Sequence, residues 1–230
     1  MDKMNKRKLI LLLLIFNISI LSSQVEIVKK PKLVIGIVVD QMRFDYLYKY
    51  ENKYGNGGFK RMLREGYNFK NAHVNYAPTV TAAGHASIYT GTTPALHGII
   101  GNSWFDRYKD EIVGNVDDST EKIIGSTETN NWGASPKKML TSTISDELRL
   151  GSNFKSKVIS ISLKDLGAIL PGGHNANGAY WHDYKTSPGY FVSSSYYMQT
   201  LPKWVRDFNA LEKSDAYLNA SRKTLYPIES

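Results

Sequence analysis

The sequence predicts an α/β fold, a mostly parallel sheet flanked by helices, and three observations carry that expectation. Leu33 to Val39 is a near-continuous apolar run that stops at Asp40, as a strand covered on both faces does. Ser135-Pro136 reads as a helix opening, a capping hydroxyl followed by proline at the first helical position. Leu140, Ile144 and Leu148 then recur at fours, up to Gly151. Lys157 to Leu163 alternates apolar and polar side chains like a strand and runs into Lys164. Strand, helix and strand in that rhythm argue for βαβ units.

Taken in order, the chain opens with a basic head (Lys3, Lys6, Arg7, Lys8), an apolar run from Leu9 to Leu21, and Ser22-Ser23-Gln24. These are the parts of a secretory signal peptide, so residues 1–23 are expected to be removed and the rest to be periplasmic or secreted. A membrane span needs about 20 apolar residues, and this run is shorter and broken by Asn17 and Ser19. No span is expected after signal removal. Phe44, Leu47 and Tyr48 fall at helix spacing, and Phe59, Met62 and Leu63 line a second helix that ends at Gly66. Thr81 stands just ahead of a small-residue helix that runs to a Gly91 stop. After Pro171 the chain becomes rich in Gly, Ser, Tyr and Trp. There Lys185 to Gly189 reads as a turn between two short strands, and Leu201 to Leu211 as a helix. Residues 171–230 are thus a peripheral hairpin and helix laid over the sheet, within one domain over 24–230. Tyr226 to Ser230 carries no terminating signal, so the domain is expected to be an incomplete, N-terminal portion.

The formal charge is +8. Removing the leader takes away Lys3, Lys6, Arg7, Lys8 and Asp2, and leaves a mildly basic chain with only short clusters such as Lys29-Lys30 and Lys137-Lys138. A nucleic-acid reader shows a concentrated basic stripe, and none is evident. The expected partners are small anions such as phosphate esters, and the expected state is a monomer. There is no cysteine. An exported chain of this length can bury a core without disulfides, and any metal site must use oxygen and nitrogen donors.

In an open parallel sheet, ligands gather beyond the carboxyl ends of the strands. Asp40 ends the first strand and Lys164 a later one, so both should reach one crevice. A carboxylate there is a plausible oxygen ligand for zinc, and a lysine a plausible phosphate partner. The plainer alternative is that Asp40 caps the following helix. Thr81 at a helix start has free backbone N–H groups and the positive dipole end beside it, which suits a bound phosphate. A free alcohol is a poor nucleophile and needs a base or a metal. No base is obvious nearby, so a metal is the better expectation. The plainer alternative is that Thr81 is only an N-cap.

Four stretches decide between these readings: Val38-Val39-Asp40-Gln41-Met42-Arg43, Pro78 to His85, Thr90 to Ile99, and Gly101-Asn102. Together they resemble the alkaline phosphatase superfamily, in the branch of type I phosphodiesterases and nucleotide pyrophosphatases. Within it the likeness is to exported monoesterases with a threonine nucleophile. Ser162 to Asp165, Gly167 to Pro171 and Tyr180 to Asp183 extend the likeness over essentially the whole mature chain, and the set is highly specific. The resemblance implies two zinc ions, one of them ligated by Asp40 and Thr81. It also implies Thr81 as nucleophile through a phosphothreonine intermediate, with Asn102 and Lys164 binding the phosphoryl group. Lys164 is the feature that suggests monoesters over diesters.

Two departures matter. The monoesterases place an arginine two residues after the lysine, and here that position is Leu166. Its absence forfeits charged hydrogen bonds of about 1.5–3 kcal/mol each. The family's remaining ligands, three histidines and two aspartates, are expected beyond Ser230. His73, His85, His97, His174 and His182 do not match them: His85 reads as a packing or supporting residue, His97 as a turn residue, and His174 and His182 as peripheral. The expected activity is hydrolysis of phosphate monoesters. The alternatives are a phosphodiesterase or nucleotide pyrophosphatase on the same scaffold, or a truncated, non-catalytic fragment.

Overall fold

The computed structural model describes residues 31–127, 133–184, 189–218 and 220–221. The leader at residues 1–23 lies outside them, as does most of the turn expected over Lys185 to Gly189. The chain divides into two units, Met1–Val39 and Asp40–Ser230.

In the first unit, residues 31–39 form no regular element, and Leu33, Val34, Ile35, Ile37 and Val39 are 54–79% exposed. The strand expected over Leu33 to Val39 is therefore not present. A strand gains its hydrogen bonds only from a neighbour, and no described strand pairs with these residues. An apolar run supplies the side chains of a buried strand but not the partner that makes it one.

The second unit is built on a four-stranded sheet. Its strands are β3 (Ile123–Ile124), β4 (Ile159–Ser162), β5 (Gly178–Asp183) and β6 (Tyr190–Ser194), in the spatial order β3-β6-β5-β4. Between β4 and β5 runs the helix α6 (Asp165–Gly172), and the two strands are parallel, with Ile161 opposite Tyr180. This is a βαβ unit, with α6 packed on both of its strands. The other two pairings are antiparallel, so the described sheet is mixed where a mostly parallel one was expected. The reason is the hairpin of residues 171–230. It is present, as is its helix α7 (Lys203–Asn209), but it joins the sheet through β4 instead of lying over it. Alternation explains this: the β5 face that carries Tyr180 takes Val205 of α7, while Trp181 points into the main core. Asn209 fastens α7 to β6 by bonding both backbone groups of Phe191, at 2.9 and 2.8 Å. A second, two-stranded sheet pairs β1 (Ser103–Asp106) with β2 (Glu111–Gly114).

The remaining α-helices among the described residues are α1 (Tyr46–Lys49), α2 (Gly58–Glu65), α3 (Thr81–Thr90), α4 (Pro94–His97), α5 (Ile144–Gly151) and α8 (Lys213–Leu218). α2 ends at Gly66 and α3 at a left-handed Gly91, both as the sequence predicts. The helix expected from Ser135-Pro136 starts later, at Ile144, with Thr143 as its cap. Thr143 and Asp146 form a reciprocal capping box, which satisfies two backbone groups at once and outcompetes the proline start. The Ser135 hydroxyl donates to Asp118 instead, at 2.6 Å.

Ala82, Ala83 and Ala86 of α3 are fully buried, and α3 packs closely on α6. Methyl side chains let the two helix backbones approach. That contact, with Ile99, Val116, Met139, Ile169, Leu170, Trp181 and Val192, makes the main core.

Candidate active site

Val80 is extended (ψ 163°), and Thr81 is the first helical residue of α3. No side chain at the cap position bonds the helix start. The carbonyl oxygen of the Asn102 side chain does so from outside, accepting from the Ala82 N–H at 2.9 Å. The Thr81 hydroxyl donates to a carboxylate oxygen of Asp40 at 3.4 Å. Neither plain alternative holds. α1 begins at Tyr46 with Asp45 in the cap position, so Asp40 caps no helix, and the Thr81 hydroxyl caps nothing either.

Three of the four site residues from the sequence thus meet at one helix start, across 62 positions of chain from Asp40 to Asn102. Lys164 stands immediately before α6, the helix packed against α3. Its side chain is exposed and its backbone N–H donates to the Ser162 hydroxyl at 3.4 Å. Among the described residues no hydrogen bond links it to Asp40, Thr81 or Asn102. Leu166, in the first turn of α6, is half-buried against the main core that contains Ala82 and Ala86.

The donor set suits a cation. Tetrahedral zinc with oxygens at about 2.0–2.2 Å spaces its ligands about 3.3–3.6 Å apart, which matches the 3.4 Å between the Thr81 and Asp40 oxygens. Two oxygens are fewer than the four donors a closed site uses. Among the described residues no group of three or more His, Cys, Asp or Glu converges to complete it.

Two histidines support this framework. His85 is buried and its Nδ1 donates to the Thr81 backbone carbonyl at 2.8 Å, one turn back. That fits the supporting role expected of it. His97, expected as a turn residue, is fully buried. Its Nδ1 accepts from the Ile99 N–H at 3.1 Å, so its Nε2 donates to the Ser87 hydroxyl at 2.9 Å and ties α4 to α3. Burial lowers its pKa and keeps it neutral. Nothing local in the sequence marks this bond, because Ser87 and His97 lie on different helices. Asn115 is a further residue the sequence did not single out: it donates twice to the Asn102 backbone carbonyl.

The type I phosphodiesterase / nucleotide pyrophosphatase family model matches residues 34–225. The chain is 55% identical over 203 residues to the alkaline phosphatase PhoV of Synechococcus elongatus, covering 88% of this chain and 36% of that protein. It is 49% identical over 201 residues to the alkaline phosphatase PafA of Elizabethkingia meningoseptica, covering 87% and 36%. It is 48% identical to a Myroides odoratus protein named a calcium-transporting ATPase, covering 94% and 38%. The chain therefore spans little more than a third of these relatives' length. Crystal structures of PafA superpose with a TM-score of 0.83 at 48% identity, over 88% of this chain and 38–39% of PafA. One of these is a variant with a threonine, an asparagine, a lysine and an arginine replaced. Within the described residues no helix is long and apolar enough to cross a membrane. With an alkaline phosphatase-like fold and a family match over nearly all its length, the chain belongs to the type I phosphodiesterase / nucleotide pyrophosphatase family.

Proposed function

We propose that the protein hydrolyses phosphate monoesters, with Thr81 as nucleophile. The observation that carries this is the Thr81 hydroxyl at the start of α3, 3.4 Å from the Asp40 carboxylate. Thr81 Oγ attacks phosphorus in line, the bond to the ester oxygen breaks, and the alcohol leaves with a proton. Water then attacks the phosphothreonine, releasing inorganic phosphate and restoring the hydroxyl. Asn102 has its side-chain oxygen committed to the Ala82 N–H, so its Nδ2 is the end left to donate to a phosphoryl oxygen. Lys164 meets the same group as a point charge. A divalent cation, zinc as the family resemblance implies, would be held by Asp40 and Thr81 and would supply Lewis-acid stabilisation of the alkoxide. A second zinc and the remaining ligands belong to the same reading, as do export through residues 1–23 and the assignment of residues 24–230 to the N-terminal portion of the catalytic domain.

The relatives support the residue roles. In the substituted PafA, the threonine, asparagine and lysine are spaced as Thr81, Asn102 and Lys164 are here, and the arginine falls at Leu166. An ATPase name on one relative is compatible, since that reaction also transfers a terminal phosphoryl group to water.

A second reading is hydrolysis of phosphodiesters or nucleotide pyrophosphates, favoured by Leu166. A half-buried leucine against the core stands where the substituted PafA had its arginine. The experiment is to compare turnover of a nitrophenyl phosphate monoester with that of the matching diester, with and without chelator, in wild-type protein and Thr81→Ala. Monoester preference lost with Thr81→Ala supports the first reading. Diester preference selects the second. Turnover untouched by Thr81→Ala rejects both.

A further inference from the structure

We propose that Asn115 is a positioning residue for the phosphoryl-binding amide of Asn102, an inference that rests on the phosphoryl-transfer reading above. Asn102 can present its Nδ2 usefully only if its side-chain oxygen stays on the Ala82 N–H, beside the nucleophile. That bond fixes one end of a short side chain, and the backbone at Asn102 must fix the other. Asn115 does this. Its backbone N–H and its side-chain Nδ2 both donate to the Asn102 backbone carbonyl, at 3.1 and 2.7 Å.

The two residues are the base of the β1–β2 hairpin. Ser103 pairs with Gly114, so Asn102 and Asn115 are the next positions beyond the ladder. Asn115 is also held from behind. Val116 is buried in the main core and its carbonyl accepts from the Ser135 N–H at 2.8 Å, while Gly114 is pinned by the Asp117 carboxylate at 2.6 Å. The rigidity of the core thus reaches Asn102 through Asn115.

The Asn115 side chain is not explained by packing. The residue is only 4% exposed, and its Oδ1 is buried with no hydrogen-bond partner among the described residues. A buried amide with an orphaned oxygen is unfavourable, and an apolar side chain of similar size would avoid it. What the amide provides is the second donor to the Asn102 carbonyl.

The test is a double-mutant cycle in the active, complete protein. Asn115→Ala and Asn115→Asp are each made alone and together with Asn102→Ala. Asn115→Asp keeps the side-chain volume while replacing the donor, and serves if alanine fails to fold. The readouts are kcat/KM for nitrophenyl phosphate and the inhibition constant of inorganic phosphate. The proposal expects either substitution to lower kcat/KM by about tenfold and to weaken phosphate inhibition severalfold. In the Asn102→Ala background neither value should move further. An equal loss in both backgrounds would show a structural role only and overturn the proposal. So would an unchanged kcat/KM for the single variants. Absence of turnover in the wild-type protein would bring down the underlying reading and this proposal together, whereas normal wild-type turnover with an indifferent Asn115 brings down this proposal alone.

Discussion

The same three residue types meet twice in this molecule, with opposite outcomes. At the start of α3, Asp40, Thr81 and Asn102 stand at the surface, the carboxylate holding one hydroxyl at 3.4 Å. At the start of α5, the buried Asp146 and Thr143 are knotted together with a half-buried Asn175. There the Asp146 carboxylate is fully buried and accepts from the Thr143 N–H and hydroxyl, both at 2.9 Å, and from the Asn175 N–H and amide at 2.6 and 3.1 Å. His174 adds Nδ1 at 3.5 Å while its Nε2 donates to the Met139 carbonyl at 2.9 Å. The knot has spent its hydrogen-bonding capacity on the fold, and the surface trio has kept its own. Chemistry needs the second condition, because a nucleophile and a ligand must have lone pairs to offer.

The comparison predicts a separation of effects. The largest is on activity: Thr81→Ala should reduce monoester turnover by about a thousandfold or more, as loss of a covalent nucleophile does, with thermal stability almost unchanged. A modest loss would place the chemistry elsewhere. Next, Asp146→Ala should destabilise the fold by about 3–5 kcal/mol, because it strands the buried Thr143 donors and removes the partner of the half-buried His174. Asp40→Ala should cost less than about 0.5 kcal/mol, being a surface change. Urea titrations of the two variants measure both, and equal losses would erase the distinction.

The knot should also shape stability against pH. Burial pushes the Asp146 carboxyl up, but the bonds from His174, Thr143 and Asn175 outweigh it and hold it below its ordinary value of 3.8. Its contribution is therefore complete above 3.8 and is lost as pH falls below that. The hydrogen bond to Asp146 raises His174 above its ordinary 6.5, against an opposing effect of burial. That contribution is complete below 6.5 and is lost as pH climbs through the raised value. Stability should peak between these limits, and His174→Gln should flatten the alkaline limb. An unaltered limb would mean the ion pair contributes nothing.

Much of the surface trio was legible in the sequence, because Thr81 and Asp40 sit in motif-bearing stretches and α3 announces its start and its Gly91 stop locally. The knot was not. Thr143 and Asp146 form a capping box visible at spacing three, but Ser135-Pro136 offers a competing local start, and His174 and Asn175 arrive from 28 or more residues away. Gly173 shows the same limit: its φ of +73° and the crowding of Asp146 and Thr143 against any added Cβ make glycine necessary there, yet only the tertiary fold reveals it. The Leu33 to Val39 strand erred in the other direction, since an apolar pattern does not specify a pairing partner.

The smallest expected effect sharpens the substrate question. Leu166→Arg should raise monoester kcat/KM by up to about tenfold, through new charged contacts to phosphate, at a cost of about 1 kcal/mol from lost packing. An unchanged rate would mean that position serves the core alone.

The most direct test of the central claim is to quench turnover of a labelled phosphate monoester with acid and map the phosphorylated peptide. Label on Thr81, absent in Thr81→Ala, is the predicted result. Label on a different residue such as Thr79, or retained after the substitution, would contradict the assignment of the nucleophile.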